Sequence, residues 1–165
     1  MSMTKAGRIL LQIGIFASFV FAGFYFVGSF RHYETEPMPL TYRQYIAKYG
    51  DWNLPTSASA IQLMNASLGR GGSAWAHRFS APLEDMKRYA AEEFSRFDQG
   101  QSKPIRFQLE TNIIEPTFEY YGIGRLLWFE FDGLTNVLTI PRDHAGRPTI
   151  HIDTNNLTYY SWWTK

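Results

Sequence analysis

Cysteine is absent from the 165 residues. That excludes a disulfide framework, a thiolate nucleophile and a cysteine-ligated zinc site. It also excludes a bacterial lipoprotein, because lipid attachment there needs a cysteine after the apolar stretch. Carboxylates are missing from the first 30 positions: Lys5 and Arg8 stand there, and all 15 acidic residues follow. Beyond Phe30, 14 basic residues face 15 acidic ones, a net charge of −1. The clustered basic excess of a nucleic-acid binder is therefore missing. Catalytic signatures are missing too, with no Gly-x-Ser-x-Gly elbow and no His-Glu-x-x-His. The glycine-rich Leu68–Gly72 run lacks the Lys-Ser/Thr of a phosphate loop and reads as a hairpin turn. No motif implies a cofactor or a metal.

What is present first is a run of 22 uncharged residues, Ile9–Phe30. As a helix it would reach roughly 33 Å, enough to cross a hydrocarbon core of about 30 Å. Lipid supplies no backbone hydrogen-bond partners, so a crossing segment must be helical. The sequence thus divides into a basic leader (1–8), a transmembrane helix (9–30), a linker (31–40) and a soluble domain (41–165). Lys5 and Arg8 favour a cytoplasmic N-terminus and a domain outside the cytoplasm, with the bilayer itself as a partner. Val20-Phe21-Ala22 would admit signal-peptide cleavage, but Gly23–Val27 beyond it stays apolar, which suits an uncleaved anchor. Gly14, Ser18 and Ala22 recur at four-residue spacing, a small-residue face on which membrane helices can pack.

The linker carries Pro37 and Pro39 and reads as extended. Thr41 and Gln44 stand at capping-box spacing at the start of a short helix that ends at Gly50. Ile61–Leu68 and Ala74–Phe79 flank the glycine run as a hairpin, with Trp75, His77 and Phe79 on one side and Ala74, Ala76 and Arg78 on the other. Ser80–Phe97 reads as an amphipathic helix with Leu83, Met86, Ala90, Phe94 and Phe97 as its apolar stripe. Strands are expected around Ile105–Leu109, Leu126–Phe131, Val137–Ile140, Thr149–Asp153 and Thr158–Trp163. Their close spacing predicts an antiparallel meander. The fold class is α+β, a two-layer sandwich of sheet and helix.

Leu54-Pro55, Ser57-Ala58, Ile61, the glycine-rich turn, Arg78-Phe79-Ser80 and the acid-started helix together resemble a group of small bacterial envelope proteins with an N-terminal anchor. The resemblance covers Leu54–Phe97 and implies an envelope location. It supplies no catalytic residues.

Three readings of function stay open. The first is a non-enzymatic envelope domain that binds a protein partner or serves an assembly, supported by the near-neutral charge and the missing catalytic motifs. The second is a tethered hydrolase or metal-assisted enzyme. His151 and Asp153 lie two apart on one strand face, with Asp143 and His144 in the preceding turn, residue types that ligate metals or move protons. Alternation on a one-sided sheet explains the same pattern. The third is a glycan-binding module built on Tyr159, Tyr160, Trp162 and Trp163, which would need those rings exposed; burial as a last strand is favoured. His77, between Trp75 and Phe79, reads as a hydrogen-bonded core or rim histidine.

Overall fold

The computed structural model describes residues 12–21, 32–36, 38–50, 53–67, 72–97, 105–110, 126–131, 133–140 and 147–164, with Ile113, Pro116, Phe118 and Ile123. The described residues form an α+β fold, with a seven-stranded antiparallel sheet and three helices among them. In chain order these are α1 (12–21), β1 (His32–Thr35), α2 (Tyr42–Tyr49), β2 (Ser59–Ser67), β3 (Ser73–Ser80), α3 (Leu83–Arg96), β4 (Gln108–Glu110), β5 (Val137–Thr139), β6 (Thr149–Asp153) and β7 (Thr158–Thr164). The sheet order is β1-β2-β3-β7-β6-β5-β4. β2 and β3 form the expected hairpin. The chain reaches the far edge at β4, and the meander β4-β5-β6-β7 walks back until β7 closes on β3.

Of the proposed span Ile9–Phe30, only α1 lies within the described residues. Its ten residues would reach about 15 Å. Ile13, Phe16, Phe19 and Phe21 are exposed on it, and the Ser18 hydroxyl donates to the Gly14 carbonyl at 2.9 Å. Ala22 lies outside the described residues. Among the described residues no helix is long and apolar enough to cross a membrane, so the expected transmembrane helix is not shown.

Three other expectations are corrected. Part of the linker, His32–Thr35, is the edge strand β1 on β2. Leu126–Phe131 is not a strand. It turns, with the Phe129 N–H donating to the Leu126 carbonyl at 2.9 Å. The sandwich is not two-layered, because both sheet faces are covered. On one face Leu126, Phe129 and Phe131, with Phe118, pack against Met64, Ala66, Ala74, Ala76, Tyr160 and Trp162. The three alanines leave room for the rings. Arg78 fastens the cover, its Nη1 donating to the Trp128 carbonyl at 2.8 Å while its guanidinium lies over Tyr160.

The helices lie on the opposite face. α2 has the expected capping box of Thr41 and Gln44, and Gly50 ends it at a φ of +76°. α3 starts later than expected, at Leu83. Ser80 belongs to β3, and Pro82 stands at the N-cap without a side-chain cap bond. Glu84 and Asp85 in the first turn complement the positive end of the helix. α3 runs along the seam between β3 and β7. Four helical residues advance about 6 Å and two strand residues about 6.8 Å, so the two keep step. Tyr89 meets Phe79 and Tyr159, Glu93 meets His77 and Ser161, and Phe97 meets Trp75 and Trp163. These three rungs follow the strand register Phe79↔Tyr159, His77↔Ser161 and Trp75↔Trp163.

Candidate functional site

The outer rungs are aromatic and the middle one is polar. Glu93 is only 3% exposed. The Tyr159 hydroxyl donates to its Oε2 at 2.5 Å and the Ser161 hydroxyl to its Oε1 at 2.7 Å. Burial raises the Glu93 carboxyl from 4.5 to about 7, against the downward pull of the bonds from Tyr159 and Ser161 and of the Arg96 charge. His77 Nε2 stands 3.6 Å from Glu93 Oε2. That separation is too long for a hydrogen bond, and Nε2 is enclosed without a partner. Burial, with the Arg96 charge behind it, lowers His77 from 6.5 to about 3. Both shifts favour the uncharged pair. The His77 ring is fixed by stacking on Trp75 at 5.1 Å and Tyr159 at 5.6 Å, with Tyr89 edge-on at 5.9 Å.

His77 also forms part of the wall of a partly open cavity of about 210 Å³ between β1–β3, α2 and α3. Leu54, Ile61 and Leu63 supply its aliphatic surface, and Tyr45, Tyr49, Trp75 and Tyr89 its rings. Glu34 and Asn65 are its other polar side chains. A void of about 150 Å³ suffices for a benzene ring, so this one has room for a small molecule. The cavity owes its outer wall to α2. That helix is tied down by an Ile61–Leu40 bridge with N–H···O distances of 2.8 and 2.9 Å. The Lys48–Glu36 ion pair and the Tyr49 hydroxyl, which donates to Glu36 at 2.5 Å, add to this.

Of the residues singled out in the sequence, His77 and Tyr159 belong to this site and the others fall elsewhere. His151 and Asp153 share a face as expected, but it is the face opposite α3, and both are buried. Asp153 accepts from the Asn155 N–H at 3.0 Å and from Asn156 Nδ2 at 2.7 Å, closing the β6–β7 turn. His151 sits between Phe131 and Trp162, its Nδ1 unpartnered, and burial lowers it to about 4. Asp143 and His144 lie outside the described residues. Among those described, no group of three His, Asp or Glu is placed to hold a metal ion. The C-terminal rings do not form one platform: Tyr160 and Trp162 join the cover on one face, while Tyr159 and Trp163 face α3. His77 is stacked among core and rim rings, and its Nε2 makes no hydrogen bond.

No protein-family model, curated protein or solved structure matches the chain. Function is therefore read from the geometry alone.

Proposed function

We propose that this is a single-pass, membrane-anchored envelope protein whose α+β domain is a non-enzymatic binding module, with a small ligand held in the cavity behind α2. The cavity is the observation that carries the reading. It lies between the sheet and the two helices on it, it is mainly apolar, and its polar groups are few, the usual form of a small-molecule site. The anchor rests on the uncharged run Ile9–Phe30 and on the exposed apolar side chains of α1, which lipid would cover. The domain lies outside the cytoplasm on the strength of Lys5 and Arg8.

The test uses full-length protein in maltoside micelles, titrated calorimetrically with 2-naphthol, with Leu63→Phe as the comparison. Leu63 lines the cavity, so the larger ring should occupy the void and change stability by less than about 1 kcal/mol, unlike an insertion into a packed core, which costs about 1–3 kcal/mol. Naphthol partitions into the micelles in both samples. The wild-type protein should show an additional one-to-one binding that Leu63→Phe loses. Identical isotherms would overturn the binding reading. Extraction of the full-length chain by carbonate wash, without detergent, would overturn the anchor.

A further inference from the structure

The character of the cavity wall says what kind of small molecule it suits. We propose that the cavity is an aromatic cage for a methylated or quaternary ammonium group. This rests on the binding reading above and deepens it. Tyr45, Tyr49, Trp75 and Tyr89 all contribute to the wall. The faces of such rings carry negative electrostatic potential and attract a cation close to them, most strongly where water is excluded. Tyr45 and Tyr49, one helical turn apart on α2, lie 5.6 Å centroid to centroid. The Tyr49 ring already takes the Lys48 ammonium at 5.1 Å.

Charge points the same way. Among the described residues no lysine or arginine lines the cavity; Lys48, over the Tyr49 ring, is paired with Glu36. Glu34, at its edge on β1, has no ion pair among them; its one hydrogen bond is a long one of 3.4 Å from the Tyr49 hydroxyl. The neighbouring Glu36 is occupied by Lys48 and Tyr49. His77 stays uncharged through the neutral range and adds no repulsion. A carboxylate without a counter-ion among the described residues, beside four electron-rich rings, suits a large, weakly hydrated cation. A neutral ligand would leave the Glu34 charge unbalanced, and an anion would be repelled by it. An alkylated ammonium costs less to desolvate than a primary one and has methyl groups to fill the apolar surface of Leu54, Ile61 and Leu63.

The experiment is a calorimetric comparison of choline with 3,3-dimethyl-1-butanol, which replaces the nitrogen by carbon at nearly the same shape. Full-length protein in maltoside is used, since a phosphocholine detergent would itself compete. Choline is expected to bind at least tenfold more tightly than the alcohol. Glu34→Gln, at a partly exposed edge-strand position, should remove most of that gap and leave the alcohol's affinity unchanged. Equal affinity for the two compounds overturns the cage and leaves the binding reading standing. Choline bound equally well by Glu34→Gln also overturns it. If neither compound binds and naphthol does not either, both readings fall together.

Discussion

Replacing Glu93 by alanine is expected to destabilise the domain by about 3–5 kcal/mol. Two buried hydroxyls, on Tyr159 and Ser161, lose their acceptor, at about 1–3 kcal/mol each for an unsatisfied buried group. The lost side-chain volume adds a cavity cost. Against a typical stability of about 5–15 kcal/mol this is a large fraction. Glu93→Gln keeps an acceptor and separates the charge from the hydrogen bonds. In the native protein Glu93 holds its proton up to about pH 7, whereas the unfolded chain releases it near 4.5. Unfolding therefore releases a proton between those values, and stability falls as pH rises through this window, by on the order of 3 kcal/mol in total. His77 and His151, lowered to about 3 and about 4, act in the opposite sense and remove stability as pH falls below 6.5. Wild type should thus be most stable near pH 6.5. The advantage of Glu93→Gln over wild type should grow from pH 4.5 to 7 and then level off. Urea unfolding across this range measures it; a constant difference between the two proteins would contradict the assignment.

Phe129→Ala is the second large effect, at about 3–5 kcal/mol for a buried aromatic truncation. Phe129 is 2% exposed and meets Phe131, Tyr160 and Trp162 edge-on at 5.2, 5.5 and 5.8 Å. It belongs to a segment without regular structure, where substitutions are ordinarily mild. A loss below about 1 kcal/mol by urea unfolding would mean that the sheet's second face is not covered in this way.

Those two residues mark where the sequence stops being readable. Trp75, His77 and Phe79 alternate with two alanines and Arg78, and the sheet face of each follows from a period of two. Helix α2 was legible from Thr41, Gln44 and Gly50 because its caps are chemical signals. The run Leu126–Phe131 was not, since a stretch apolar but for Glu130 suits a central strand as well as a cover whose side chains lie on the sheet of other segments. Strand β1 is four residues, mostly polar, and exists because β2 offers it an edge. Glu93 carried a signal that went unread. It lies seven residues after Met86, four after Tyr89 and three after Ala90, on the buried stripe of α3, where a carboxylate needs partners from another element. Tyr159 and Ser161, 66 and 68 residues away, supply them. The cavity had no local signature at all, because it depends on how α2 docks. Conversely, the interest of His151 and Asp153 came from their side-by-side spacing, which a turn closure and an aromatic contact account for. The membrane anchor still rests on the composition of Ile9–Phe30.

The central claim is that the space behind α2 admits a ligand, and methyl NMR of the full-length protein titrated with 2-naphthol tests it most directly. The expected result is a set of shifts confined to Leu54, Ile61 and Leu63 and abolished in Leu63→Phe. Shifts absent from the methyls of these three residues, or centred instead on Met64, Leu126 and Leu134 across the sheet, would contradict it.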